Sequence, residues 1–241
     1  MGRGYAYDTG KISVSNEVSP IGWSQIVIFN VEGDVQELLH FDRSDIGSNL
    51  DLETGLTFSN GVFGVKSIKA GHPCIHVSWY GAQAYCNYKS DMEGLQRCIA
   101  FGNWACDFSK SGYRLPTEAE WEKAARGGYE SKTYPWGDDS PDPTKANYGQ
   151  NIGMTTNVGS YPPNAYGLYD MAGNLEEWCW DRYGVPSPPA AGSIDPSGPA
   201  TGEYRINRDN SWFGGQGTCS SKGSTSPISA HPHMGFRAVR R

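Results

Sequence analysis

No stretch of this 241-residue chain approaches the ~20 consecutive apolar residues that a membrane-spanning helix needs. Six cysteines are present (Cys74, Cys86, Cys98, Cys106, Cys179 and Cys219), but no Cys-x-x-Cys pair, which argues against a zinc ribbon or a thioredoxin-like centre. Positive charge is in deficit. The 20 Lys and Arg residues face 26 Asp and Glu, a formal net charge of −6, so the basic face of a general nucleic-acid binder is missing. The opening residues Met1-Gly2-Arg3-Gly4-Tyr5 lack the apolar run and cleavage site of a signal peptide. The chain therefore reads as cytoplasmic, or as an exported protein stripped of its signal. Hydrophobic residues are sparse at 37%, whereas aromatics reach 12% and there are 31 Gly and 15 Pro. That mixture excludes a helical bundle and predicts short strands and long ordered loops, with Trp and Tyr packed beneath them.

Along residues 1–71, short apolar runs alternate with turns. Gln25-Ile26-Val27-Ile28-Phe29-Asn30-Val31 is β-branched and reads as a strand, and Asp42–Glu53 reads as a polar loop. Ser78 is placed to cap a helix running through Tyr80, Ala82, Ala84, Tyr85 and Tyr88 and ending before Gly94. A second helix is marked by Thr117 with Glu120 three residues on, a capping box in which each side chain satisfies the other's exposed N–H; Gly127-Gly128 ends it. Beyond Tyr134 the chain reads almost entirely as turns and short strands, so the class is α+β. Cys98 and Cys106 enclose a Gly/Asn-containing loop that suits a local disulfide as well as two separate thiols.

Five blocks, in order, carry a family resemblance. They are His76-Val77-Ser78-Trp79-Tyr80 with Ala84-Tyr85-Cys86; Tyr113 to Glu122; Tyr134-Pro135-Trp136-Gly137; Pro163 to Asn174 leading to Glu177-Trp178; and Gly235-Phe236-Arg237. Over residues 72–241 the chain resembles the formylglycine-generating-enzyme (sulfatase-modifying factor) family. The resemblance implies a C-type-lectin-like fold, α+β, with two main helices, short twisted strands and high loop content, laid out as one domain over residues 1–241. Within it, 1–71 are N-terminal strands and loops, 72–208 the frame, 209–233 a candidate ligand-binding segment and 234–241 a fixed C-terminal strand.

The family's oxidases use a cysteine pair between a Gly-Gly-Ser-aromatic strand and the final Gly-Phe-Arg. Here that interval holds only Cys219, with Gly214 at the other position when the alignment runs from Ser211. Aligned instead from Pro227, Cys219 falls nearer a structural cysteine of the family. A thiol pair that binds copper or cycles through a disulfide cannot be built from one cysteine. No catalytic residue is assigned, and the competing reading is an oxidase with a rearranged site, Cys219 with Cys179. Among the five histidines, His40, His72, His76, His231 and His233, none makes an i, i+4 pair on a helix, and no helical domain precedes the resembling region, which discounts the related iron-dependent branch.

Residues 209–233 are dominated by Ser, Gly, Thr and His where the family is rich in Asn and Arg, and the family pattern returns at Met234. Apart from Trp212, Gln216 and Lys222, every residue in this window has a codon ending in a pyrimidine, the composition left by mutating the adenines of Asn codons. A flexible Ser/Gly loop would look similar. The bounded departure resembles the variable proteins of diversity-generating retroelements, of the treponemal variable-protein type. That resemblance implies an exported, surface-displayed lipoprotein whose membrane link is a lipid anchor outside this chain. It would bind an unknown protein or surface ligand, without nucleic acid, as a monomer. The candidate contacts are Asp209, Asn210, Trp212, Phe213, Gln216, Ser221, Ser224, Ser226, Ile228, Ser229, His231 and His233, with Trp212 reading equally as core.

The resemblance also implies a structural Ca2+ site from the carboxylates of Asp170 and Glu177 and the carbonyls of Gly173 and Leu175. Hard oxygen ligands on an irregular loop suit calcium. The alternative is a salt-bridged Glu177 and an Asp170 that caps a turn.

Overall fold

The computed structural model describes residues 69–184, 194–215 and 217–241 in full, and the backbone of five strands before them. Those strands are β1 (Ile12–Val18), β2 (Ser24–Asn30) and β3 (Glu37–Asp42), an antiparallel meander, and the antiparallel pair β4 (Leu56–Ser59) and β5 (Val62–Val65). The strand expected at Gln25–Val31 is β2 to within a residue.

Two helices follow, where the caps place them. Helix α1 (Trp79–Met92) starts as the Ser78 side chain accepts from Gly81 N at 3.1 Å, and the chain turns left-handed at Gly94. Helix α2 (Glu118–Arg126) carries the complete capping box. Glu120 N donates to Thr117 Oγ1 at 3.2 Å and Thr117 N donates to Glu120 Oε2 at 2.8 Å. Arg114 then clamps Glu120 with two N–H groups at 2.7 Å each, fixing the cap against the preceding strand-like segment. Gly127, at φ 57°, ends the helix in the left-handed geometry that glycine adopts without a Cβ penalty.

The C-terminal sheet runs β8 (Lys222–Thr225), β7 (Arg205–Arg208), β6 (Glu176–Arg182), β9 (Met234–Gly235). All pairs are antiparallel except β6–β9, where Glu176 faces Met234 and Glu177 faces Gly235. The C-terminal segment therefore leaves the sheet on one side as β8 and returns on the other as β9. The close fit of β9 explains Gly235, because a Cβ there would meet Leu175 Cδ1 at 2.5 Å and Cys74 O at 3.0 Å.

Tryptophans hold the layers together. Trp79 donates its indole N–H to Cys179 O and Trp178 donates to Val77 O, each at 2.9 Å, so both rings are buried without an unsatisfied donor. One buried cluster gathers Val77, Trp79, Leu115, Trp178 and Met234; a second gathers Trp121, Met171, Cys179, Ile206 and Cys219. All six cysteines are free thiols. The local disulfide is thus not formed, and Cys98 Sγ instead donates to Gly112 O at 3.1 Å. Among the described residues no helix is long and apolar enough to cross a membrane.

Candidate functional site

The segment 209–233 is bound to the rest of the molecule by its main chain. Trp212 N donates to Asn174 O (3.1 Å), and Gln150 N and Gly149 N donate to Trp212 O and Gly214 O (both 2.7 Å). Cys219 N donates to Thr133 O (2.9 Å), and β8 pairs with β7 along its length. Pro227 O accepts from Trp79 N (3.1 Å), His231 O from His76 N (3.0 Å) and His233 O from Glu176 N (3.0 Å). A backbone hydrogen bond makes no demand on the side chain that carries it. Each anchoring partner lies in the frame rather than in the segment.

Some side chains between these anchors face outward. Phe213 is 55% exposed and Ile228 54%, and Ser224 is exposed on β8. An aromatic row runs across the surface. Trp212 and Phe213 meet edge to face at 5.7 Å, Phe213 stacks on His233 at 6.0 Å, and His233 stacks on His231 at 5.5 Å with the rings 5° from parallel. Partial burial lowers the pKa of His231, and burial together with its neighbour lowers that of His233, so both imidazoles favour the neutral form.

The expected contacts divide. Phe213, Ser224 and Ile228 are exposed, and Asn210, Ser226, Ser229, His231 and His233 are half-buried. Trp212 is also half-buried, with its ring on Phe213 and its main chain tied at both N–H and carbonyl. Ser221 is half-buried too, and its Oγ accepts from Thr218 N at 3.0 Å and closes a turn. Gln216 lies outside the described residues.

Asp209 is a correction. It is only 3% exposed and cannot be a contact. It leaves β7 at φ 72°, which turns its carboxylate inward under Gly217, where a Cβ would overlap Asp209 Oδ1. Burial raises its pKa well above the carboxylate range.

The expected calcium ligands are also arranged otherwise. Glu177 Oε2 accepts from Trp121 Nε1 (2.7 Å) and Arg237 Nε (2.5 Å), and Glu177 Oε1 accepts from Arg237 Nη2 (2.6 Å). Asp170 Oδ2 accepts from Gly159 N at 2.8 Å, and Gly173 O accepts from Leu175 N at 3.0 Å. Asp170, Gly173 and Glu177 thus already accept hydrogen bonds from the protein with oxygens the cage would use, and a cation held by Glu177 would sit beside the Arg237 guanidinium. The residues do not fit a calcium cage; the salt-bridged alternative is the one adopted.

Neither Cys219 nor Cys179 is set up as a nucleophile. Both are buried in the same apolar cluster. Burial pushes the Cys219 thiol up to about 11 and the Cys179 thiol well above its ordinary value.

Sequence reasoning passed over a second concave feature. A cavity of about 490 Å³ lies along α2, lined in part by Glu118, Glu122, Tyr129, Tyr166 and Asp181. Its residues come from separate parts of the chain, and no motif unites them.

Comparison with known proteins agrees with the fold. A Treponema denticola structure, variable protein 1, superposes with a TM-score of 0.66 at 26% identity, covering 95% of this chain and 99% of that one. The formylglycine-generating enzyme of Thermomonospora curvata is 34% identical over 196 residues, 71% of this chain and 56% of the enzyme. The serine/threonine-protein kinase pkn1 of Chlamydia pneumoniae is 38% identical over 175 residues, 71% of this chain but 24% of the kinase. The chain thus spans about a quarter of one curated relative and about half of the other. The sulfatase-modifying factor enzyme 1-like domain model matches residues 57–241, which starts upstream of the first recognisable motif and takes in β4 and β5. On this match, which covers more than half of its length, the chain belongs to the sulfatase-modifying factor enzyme 1-like (FGE-sulfatase) domain family.

Proposed function

We propose that the chain is a non-catalytic ligand-binding protein, exported and displayed at the cell surface, whose segment 209–233 is a recognition surface diversified by a retroelement. The observation that carries this reading is the separation of roles within the segment. Its main chain is held by frame atoms at Asn174, Thr133, Trp79, His76 and Glu176, while Phe213, Ser224 and Ile228 project from it and the half-buried His231 and His233 continue the aromatic row. A surface built this way exchanges side chains without losing its support, as antibody loops do on their sandwich. The aromatic row supplies rigid contact area at low entropic cost, and the serines supply adaptable hydrogen bonds. The likeness to the Treponema denticola variable protein, which extends over nearly both whole chains, supports the same reading. The buried, protonated thiols of Cys219 and Cys179 weigh against an oxidase.

The test is a displayed library randomised at Phe213, Ser224, Ile228, His231 and His233 and selected against several unrelated proteins. The proposal expects folded binders to different targets from one library. Recovery of none, with most members folded, would show that the surface is not a paratope.

A further inference from the structure

The cavity along α2 is separate from the aromatic row, and its electrostatics are unbalanced at one point. Asp181, on β6, lines it at only 4% exposure. Its Oδ2 accepts from Glu118 N at 2.7 Å, which seats the carboxylate on the first turn of α2. Gly198, at φ 78°, lets the chain pass directly over Asp181, because a Cβ there would meet Asp181 Oδ1 at 2.8 Å.

The two other acidic groups that α2 gives the wall are already matched. Glu118 pairs with Arg208 (3.3 Å) and Lys222 (2.9 Å), and Glu122 pairs with Arg126 (2.6 Å) and Arg208 (2.7 Å). Among the described residues Asp181 has no such ion pair. Arg205, a buried cation that senses it, is turned away, donating to Trp180 O at 2.6 Å and stacking 3.8 Å over the Trp79 ring. Lys123 and Glu130, one of each sign, are exposed residues of the lining. Two exposed aromatic faces complete the opening. Tyr129 is 43% exposed and Tyr166 55%, and Tyr166 lies against Gly128, where a Cβ would come within 3.2 Å of its ring.

We propose that this cavity binds a lysine- or arginine-type cation, its charge against Asp181 and its aliphatic arm against Tyr129 and Tyr166. A buried carboxylate without an ion pair gains most from a ligand that brings the missing charge. Tyrosine faces attract such a cation through their ring quadrupoles, more strongly where water is excluded. The volume accommodates a side chain of that length with part of its backbone.

The experiment is calorimetric titration of the whole chain with three probes: Nα-acetyl-arginine amide, n-butylguanidinium and Nα-acetyl-citrulline amide, the neutral isostere of the first. Both cations should bind, and the citrulline probe at least about tenfold more weakly. Tighter binding of the amide than of butylguanidinium marks a peptide side chain as the natural source; the reverse marks a free small cation. Asp181→Asn keeps an acceptor for Glu118 N, and it should weaken both cations by about tenfold or more. Tyr166→Ala, at an exposed position, should cost about threefold. Equal binding of citrulline and arginine probes would overturn the proposal. So would cation affinity unchanged in Asp181→Asn and Tyr166→Ala, or no cation binding at 10 mM-order concentrations, roughly the weak limit for one charge in a pocket. None of these outcomes depends on whether the segment 209–233 is a recognition surface.

Discussion

Arg237 holds Glu177 with two N–H groups, Nε to Oε2 at 2.5 Å and Nη2 to Oε1 at 2.6 Å, and so ties the C-terminal strand region to the start of β6. Arg237 Nη2 also donates to Asp170 O at 3.1 Å, and Trp121 donates to the same carboxylate from α2. One ion pair thereby fastens three parts of the frame below the segment. Removing one partner of a largely buried pair strands the other charge. Arg237→Ala should therefore lower unfolding stability by about 3 kcal/mol. Arg237→Lys should recover little, because an ammonium cannot reproduce the two-pronged geometry. Urea denaturation of both variants checks this, and a cost under about 0.5 kcal/mol for either would contradict it.

Calcium is expected to leave stability unchanged, because the oxygens of Glu177 are filled by Arg237 and Trp121. Melting temperatures with millimolar-order calcium and with chelator should coincide. A saturable rise with calcium that disappears in Asp170→Ala would restore the metal reading.

Asp181 makes stability depend on acid in a definite direction. Burial, with the neighbouring Glu118 and Glu120 charges, raises its pKa from 3.8 to about 6. Between those values the folded protein holds a proton that the unfolded chain has lost. Stability from this group is therefore full below about pH 4 and falls as pH rises through about 6. Asp181→Asn should match the parent near pH 4 and exceed it at pH 7 by about 3 kcal/mol. A parent and variant with parallel pH profiles would show that the carboxyl is not held in this state.

Two glycines in the segment should respond oppositely to a methyl group. Gly217→Ala drives a Cβ into Asp209 Oδ1, whereas a Cβ at Gly215 meets nothing within 4 Å. The first should cost about 2 kcal/mol and the second less than about 0.5. Thermal melts of the two variants side by side decide it, and equal costs would contradict the placement of Asp209.

Local chemistry was legible in the sequence, and long-range chemistry was not. Helix α2 could be read because Thr117, Glu120 and Gly127 act on neighbours within a few residues. The limits of the unusual segment are legible too, because Met234-Gly235-Phe236-Arg237 resumes the frame's pattern, Gly235 being packed close on Leu175 and Arg237 paired with Glu177. Glu177 was read as a metal ligand because its partners, Trp121 and Arg237, are 56 and 60 residues away in sequence. Asp209 read as a surface residue because aspartate usually is one. Its burial follows from a left-handed turn and from Gly217 across the loop, neither of which leaves a local signature. The cavity was missed for the same reason, since Asp181, Tyr129 and Tyr166 meet only in the folded chain.

With the Cys219 and Cys179 thiols buried and protonated, the protein should not convert a Cys-x-Pro-x-Arg peptide to formylglycine, with or without copper. Mass spectrometry of the peptide reads this directly. Turnover that vanishes in Cys219→Ser would make the chain an enzyme.

The central claim is that the frame holds the segment by its main chain and leaves its outward side chains free to change. It is tested most directly by a paired scan of melting temperature and ligand binding on random substitutions at Phe213, Ser224, Ile228, His231 and His233, with Trp121 and Trp178 as controls. The exposed Phe213, Ser224 and Ile228 should cost within ~0.5 kcal/mol and the half-buried His231 and His233 about 1 kcal/mol or less while altering what is bound, and the two buried tryptophans should cost several. If most members substituted at the five segment positions unfold, the segment is part of the core and the account is wrong.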